Sequence, residues 1–440
     1  MFEKQYRSHE VFGVTTEILA PSYVNRGGLD AQIQKLLGRD THIALRGESK
    51  CGKSWLRQKN IPDAITVQCR LGKEVRDLYT DALAQLGLQL ITEQTTDKSV
   101  KAQLEASGEV AITLLGKIAI KLGLEGEFKA SKKSIPVGRG LDDLRFISEI
   151  INASGRRLVI EDFHYLPHSA RKAFAFDLKA LWDYRTYVII IGIWSENNLL
   201  LHLNADLTGR VREISIFWSA EDLKLVLDQG SDALNVAFAR QICSRLINDS
   251  YGTVGILQTL ALGILDEINI GERQSFRREI SDEGAYESAA MVYADQLNAQ
   301  YQTFAARVAT GIRKRTNATG IYAHMLKVVM EASVVDLSNG LPRDQIYRLA
   351  FRREPRIQKP NLRQILLKIN GLQVDDEGRG LVISYDEQKD EVFVVDKQLF
   401  FYRQYATAKW PWESIIEQVD ETGAGYGSEP DSDQQAGTSV

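Results

Sequence analysis

The chain has 440 residues, 44% of them apolar and 25% charged, with a formal net charge of −4. This is the composition of a folded polypeptide of roughly two to four domains, and its charge balance excludes a polycation, so any affinity for nucleic acid must come from a local patch. No run of about 18 apolar residues occurs, which argues against a membrane span, and the N-terminal MFEKQYRSHEVFG lacks the apolar stretch of a signal peptide. Cys51, Cys69 and Cys243 lie far apart with no CxxC pair. They cannot form a metal cage by themselves and fit free thiols in a cytoplasmic protein.

In chain order, the first expected strand is HIAL at 42–45, and a helix is expected from KSWLRQK at 53–59. Between them lies GESKCGKS, which fits GxxxxGK[ST] with Gly47, Gly52, Lys53 and Ser54. The glycines let the backbone of Glu48, Ser49, Lys50 and Cys51 curl so that successive N–H groups face phosphate oxygens. Lys53 would reach the β and γ phosphates, and the Ser54 hydroxyl would take a Mg²⁺ position, with Trp55 next on the helix. The strand before and the helix after separate a phosphate cradle from a glycine turn. Segment 95–138 is longer than a βαβ connection needs. Its apolar part, VAITLLGKIAIKLGL at 110–124, reads as a helix packed on its own domain or a partner, or lying on a membrane surface.

RRLVIEDFHYL at 156–166 brings an apolar run that ends in Glu161 and Asp162. At the end of a P-loop strand one carboxylate orients Mg²⁺ and its neighbour polarises the attacking water. By position Glu161 takes the metal and Asp162 the water; either can be the base, because the order is the reverse of the usual Asp–Glu. YVIIIGIW at 187–194 reads as a central parallel strand covered on both faces. It runs into Ser195, Asn197 and Asn198, which either contact the γ-phosphate or cap the next helix. Arg210 and Arg212 flank the start of an alternating strand, where Arg210 is either an arginine finger for a neighbouring subunit or a surface residue.

These motifs and their spacing resemble AAA+ ATPases. The likeness is to the initiator and origin-recognition-like branch and to ATPases of bacterial transposition and mobile-element defence. It covers about residues 15–270: the octet is similar to the first nucleotide motif, VIEDFH to the second, IIIGIWSENN to the sensor strand and GRVRE to the finger region. The resemblance implies ATP and Mg²⁺ as cofactors, self-assembly, and an N-terminal segment against adenine. SYVNRGGLDAQIQKLL at 22–37 fits that segment, with Tyr23, Val24 and Arg26 as contacts. It also implies a helical lid, and 218–234, 236–250 and 252–268 have a helical period, with Ser219 and Asp222 forming a variant capping box. The family's lid arginine has no counterpart in GTVGILQ, which favours slow turnover or nucleotide-gated assembly.

After a polar stretch at 275–304, residues 311–370 carry twelve Lys/Arg against four Asp/Glu. Helices are expected at 320–334, 341–353 and 359–371, then two strands at 380–387 and 390–396. That order resembles a winged-helix domain, whose third helix enters the DNA major groove. Lys359, Asn361, Arg363, Gln364 and Lys368 are its DNA candidates, supported by Arg348, Arg352, Arg353 and Arg356, while Leu362, Ile365, Leu366 and Ile369 read as core. Winged helices also serve as protein-interaction modules. Trp410 and Trp412 would pack on the domain or on a partner, and the polar tail at 422–440 is expected to be disordered.

The expected fold is thus an α/β P-loop core (1–217, with the insertion at 95–138), a helical lid (218–271), a linker (272–310), a winged-helix domain (311–408) and a docking segment with tail (409–440). The expected function is an ATP-binding and ATP-hydrolysing protein that assembles with itself on or near DNA, in defence or transposition. Its alternative is a nucleotide-gated switch that recruits a protein effector with little turnover. A small-metabolite kinase would leave the basic C-terminal module without a purpose.

Overall fold

The computed structural model describes residues 5–70, 72–94, 100–124, 133–137, 140–194, 197–311, 320–374, 381–387 and 389–421. Ser195, Gln388, parts of the 95–138 segment and the tail at 422–440 lie outside the described residues. The described residues up to Ala294, with Val395–Phe401, form one compact unit; Asp295–Val374, the hairpin through Val394, and Tyr402 onward form a second.

The first unit begins with α1 (Leu29–Leu37), β1 (His42–Gly47), α2 (Lys53–Asn60), β2 (Ile65–Gln68) and α3 (Val75–Gln85). Next come β3 (Leu88–Gln94), β4 (Val100–Ala106), α4 (Glu109–Leu122) and β5 (Ser134–Pro136), the three strands pairing as a separate antiparallel sheet in the order β3-β4-β5. α4 buries Leu114, Leu115 and Ile118 in the same apolar cluster as α3 and α5, so this helix packs on its own unit. α5 (Leu144–Ser154), β6 (Leu158–Glu161), α6 (His168–Asp183), β7 (Ile189–Gly192), α7 (Leu199–Leu203) and β8 (Val211–Ile216) complete the core.

The five core strands form one parallel sheet in the order β2-β6-β7-β1-β8, so β7 separates the strand ending in the carboxylates from the strand entering the octet. Alternate side chains leave opposite faces of a strand. Leu158, Ile160 and Ile190 accordingly join the cluster under α3, α5 and α6, whereas Ile43, Leu45, Val159, Ile189 and Ile191 join the one under α1 and α2. Both faces are therefore covered, which is why these strands read as continuous apolar runs. Each fully buried aliphatic side chain contributes about 1.5–3 kcal/mol relative to exposure, enough to fix the strand ends that carry the polar residues.

Beyond the sheet lie α8 (Ala220–Leu234), β9 (Val236–Phe238), α9 (Arg240–Asp249), α10 (Val254–Glu267), β10 (Arg278–Ile280) and α11 (Glu283–Thr310). The Ser219–Asp222 capping box forms, with Ser219 Oγ accepting from the Asp222 N–H at 3.1 Å. The helix expected from 236 starts instead at Arg240, because Val236–Phe238 is extended and pairs in parallel with Arg278–Ile280.

The second unit holds α12 (Ile321–Glu331), α13 (Val334–Asn339), β11 (Leu341–Pro342), α14 (Arg343–Arg353), α15 (Lys359–Gln373), β12 (Ile383–Asp386) and β13 (Glu391–Val394), then α16 (Gln398–Tyr405), whose first residues belong to the first unit, and α17 (Pro411–Glu421). Its strands form an antiparallel sheet in the order β11-β13-β12. The buried amide of Gln373 ties α15 to the hairpin, donating to the Ile383 carbonyl and accepting from the Ile383 N–H, both at 2.8 Å. Trp410 and Trp412 stack at 4.4 Å, and Trp410 meets Tyr402 edge-on within the same unit. Among the described residues, no helix is long and apolar enough to cross a membrane.

Candidate nucleotide site

The octet leaves the carboxyl end of β1 and closes on α2. Gly47 must be glycine: a Cβ there would lie 2.6 Å from Cys51 Sγ and 3.0 Å from the Ile216 carbonyl. Gly52 has φ +86°, a region that favours glycine. Lys50 accepts φ +55° in the same loop. Lys53 folds back, its ammonium donating to the carbonyls of Gly47 at 3.0 Å and of Glu48.

A cavity of about 260 Å³ opens beside this loop. It is bounded by Gly13–Thr15 and Ser22–Arg26 of the N-terminal segment, by Ser49–Leu56, by Asp162, His164 and Tyr165 after β6, and by Val254, Gly255 and Gln258 of α10. Side chains fasten these pieces together. Trp55 Nε1 donates to the Thr15 carbonyl at 3.0 Å, and Gln258 accepts from the Gly13 N–H and donates to Ser22 Oγ, both at 3.1 Å. Tyr23 donates to Asp30 at 2.8 Å, and burial raises its phenol above the usual range. Arg26 lies face-on to Trp218, 3.9 Å from the ring centroid. Both donate to the Cys51 carbonyl, at 3.1 and 2.9 Å, while Arg26 Nε is a buried donor without a partner among the described residues. Burial lowers the Arg26 pKa.

The two carboxylates part company. Glu161 pairs with Arg57 of α2, Nε to Oε1 3.0 Å, whereas Asp162 lines the cavity and accepts from Gln68 Nε2 at 3.0 Å. Asp162 has φ +57°, a left-handed conformation unusual for a residue with a side chain, and it turns the chain into a 3-10 turn at Phe163–Tyr165. In that turn His164 Nδ1 lies 3.3 Å from the Ile193 N–H, and burial, with the charges of Lys53 and Arg171, pushes its pKa down to about 3. Sequence reasoning passed over His164. The signal was its place two residues beyond the carboxylates.

Asn197 is exposed and is not among the residues lining the cavity. Arg210 sits at the start of β8, its carbonyl 2.8 Å from the His42 N–H, at the opposite end of the sheet from Gly47 and Ile216. Six residues at about 3.3 Å each separate it from Ile216, the partner of Gly47, so it lies roughly 20 Å along the strand from its own octet. Its guanidinium lies 4.9 Å from the Trp182 ring centroid and donates to the Asp206 carbonyl. In the first turn of α10, the Gly255 N–H donates to the Lys50 carbonyl at 3.2 Å, and a Cβ at 255 would come within 2.7 Å of Lys50 Cβ. A lid this close to the loop has no room there for a longer side chain.

A second approach to the octet comes from Val395–Phe401. Lys397 Nζ lies 2.7 Å from Glu48 Oε1, and Gln398 Oε1 accepts from Lys50 Nζ at 2.7 Å and from the Tyr293 hydroxyl at 2.6 Å. Burial raises the Glu48 pKa, and Lys397 works against that rise. Nothing in the sequence pattern announced this contact.

In the second unit, Asn361, Arg363, Gln364 and Lys368 are exposed along one side of α15, with Leu362, Ile365, Leu366 and Ile369 buried on the other. Some neighbouring cations are already engaged: Lys359 with Asp344 at 2.9 Å, Arg356 with Glu354 at 2.7 Å, and Arg353 with Glu331.

No family model and no curated protein matches the chain. Solved structures do. A Walker-type ATPase of Pyrococcus abyssi aligns over 87% of this chain and 96% of its own, at 14% identity and a TM-score of 0.48. The Orc1 protein of Aeropyrum pernix, solved with DNA, aligns over 94% and 100%, at 10% identity and a TM-score of 0.40. A signal transduction ATPase with numerous domains from Pyrococcus horikoshii aligns over 93% of this chain but 45% of its own, at 12% identity and a TM-score of 0.35. At such values the likenesses carry no argument about activity, and the strand order and the octet's geometry decide the class. The chain has an α/β fold, a P-loop core on a five-stranded parallel sheet with a helical lid, as the AAA+ resemblance implies.

Proposed function

We propose that the protein binds ATP in the cavity beside the octet and hydrolyses it as a self-assembling AAA+ ATPase acting on or near DNA. The observation that carries this reading is the cradle, in which an invading Cβ at Gly47 has no space and Lys53 is folded onto the loop's own carbonyls. Bound phosphate would offer the ammonium a stronger acceptor and draw it off those carbonyls. The unpartnered Nε of buried Arg26 adds a second donor awaiting a ligand. Tyr23, Val24 and Arg26 of the N-terminal segment also border the cavity, and their aromatic, apolar and cationic side chains suit the base and sugar.

The oxygen donors at the cradle, the Ser54 hydroxyl and the Asp162 carboxylate that line the cavity with Glu161 adjoining in the chain, suit the hard coordination of Mg²⁺. Ser54 and Glu161 would hold the ion, which supplies charge neutralisation on the phosphates. Asp162, facing the cavity, would orient and polarise the attacking water; Arg57 holds Glu161 in place. Arg210 would stabilise the transferring phosphoryl group in a neighbouring subunit. The exposed Asn361, Arg363, Gln364 and Lys368 would bind DNA, their phosphate contacts adding affinity through counterion release.

The alternative, a nucleotide-gated switch that recruits a protein effector, is favoured by one feature: GTVGILQ at 252–258, at the start of α10, holds no arginine where the resemblance implies one in the lid. A role in transposition or anti-phage defence rests on the resemblance alone. The test is ATP turnover with and without duplex DNA, for the native protein and for Lys53→Ala and Asp162→Ala. DNA-stimulated turnover lost in both variants supports hydrolysis with Asp162 as base. ATP binding lost only in Lys53→Ala, with negligible turnover throughout, supports the switch. Undiminished ATP binding by Lys53→Ala overturns the cradle itself.

A further inference from the structure

The end of β7 is where a polar group would be expected to meet the terminal phosphate, but the described residues there are Ile193 and Trp194, and Asn197 lies outside the cavity. Of the polar side chains at this corner, His164 is the one hydrogen-bonded to the Ile193 backbone in the structure. Its position is built from both sides. Phe163, fully buried, anchors the turn against Phe174 at 5.9 Å and Trp194 at 6.5 Å. Gly192 leaves room for the Trp194 ring, which a Cβ there would meet at 2.6 Å, and the His164 backbone N lies 3.4 Å from the same Cβ position. The Ile193 N–H donates to His164 Nδ1 at 3.3 Å. A neutral imidazole that accepts at one nitrogen carries its proton on the other. Among the described residues, no group accepts from Nε2, and the ring borders the cavity with Lys53 and Asp162. Lys53 reaches the β and γ phosphates in such loops, so this is the triphosphate end of the cavity.

We infer that His164 Nε2–H donates to the γ-phosphate and is the residue by which the site tells a nucleoside triphosphate from a diphosphate. The inference rests on the nucleotide reading of the cavity and adds to it a specificity determinant. It holds whether the bound ATP is hydrolysed quickly or hardly at all, because discrimination is a property of binding. The Nδ1 contact makes the same residue a link from the phosphate to the backbone of β7.

The experiment is calorimetric binding of ATP (or a non-hydrolysable analogue) and of ADP, with Mg²⁺, to the full chain and to His164→Phe, His164→Gln and His164→Asn. Phe keeps the volume and loses both polar atoms. The Gln amide can replace the Nε2 donor, and the Asn carbonyl can replace the Nδ1 acceptor. The native protein should prefer the triphosphate at least tenfold. His164→Phe should lose that preference with ADP affinity within about threefold of native, the unchanged ADP binding showing that it folds. His164→Gln should keep more of the preference than His164→Asn. A preference that survives His164→Phe, or one that His164→Asn keeps better than His164→Gln, overturns the proposal alone. Failure of the native protein to bind either nucleotide overturns the underlying reading.

Discussion

Breaking the pair between Arg57 and Glu161 tests how the carboxylate end of β6 is held. The atoms lie 3.0 Å apart, and the side chains are only 14% and 15% exposed. At an effective dielectric near 20 the gross attraction is about 5 kcal/mol, and desolvation of both ions removes most of it. A double-mutant cycle with Arg57→Met, Glu161→Gln and the double variant should return a coupling of about 1–3 kcal/mol in urea unfolding followed by circular dichroism. Arg57→Met should be the worse single change, because it strands a largely buried carboxylate on a short arm. In Glu161→Gln the longer arginine can turn towards water. If Glu161 also serves the metal, Arg57→Met should lower the Mg²⁺ concentration needed for half-maximal ATP binding. A coupling below about 0.5 kcal/mol would refute the reasoning by placing the pair among weak surface contacts.

Three further outcomes are expected. Gly255→Ala should weaken ATP binding roughly 5- to 150-fold, an overpacking cost of about 1–3 kcal/mol passed to the docked lid; calorimetry beside Gly271→Ala, where a Cβ meets nothing within 4 Å, checks it. His42, buried and pushed down to about 4 by desolvation, accepts from the Val188 N–H and pairs with the Leu178 carbonyl, each at 2.9 Å. The unfolded chain therefore binds the extra proton first, so stability is complete above about pH 6.5 and falls by at most about 3 kcal/mol as pH drops towards 4. Urea midpoints across that range should show a shallower slope for His42→Gln, though not a flat one, since His164 titrates in the same direction. Arg363→Ala and Lys368→Ala should each reduce the salt dependence of duplex DNA binding by about one unit of log–log slope. An unchanged slope in fluorescence anisotropy would remove α15 from the interface.

What could be read from the sequence was local. The strand, octet and helix around Gly47–Ser54 share a few residues whose spacing is dictated by the loop, and the apolar runs at 158–160 and 187–194 announce strands covered on both faces. Amphipathic period located α8, α10, α14 and α15 to within a few residues. The contacts that finish the site are not local. Arg57 and Glu161 are 104 residues apart, and which of two adjacent carboxylates faces the cavity depends on the left-handed turn at Asp162. The β3-β4-β5 sheet was missed because Leu88–Gln94 and Val100–Ala106 mix polar and apolar residues and read as connection. Val236–Phe238 was read as helix because its partner strand comes some forty residues later, at Arg278–Ile280.

The return of Val395–Phe401 to the first unit has a consequence for synthesis. Gln398 emerges 348 residues after the Lys50 it holds. At about 5–20 residues per second the ribosome needs roughly 20–70 s to cover that distance. Throughout that interval the nascent cradle carries Glu48 without its lysine, and a message truncated anywhere before codon 397 leaves it so permanently. The loop that reads as the most self-contained motif in the chain is thus completed only by residues made 348 positions after it.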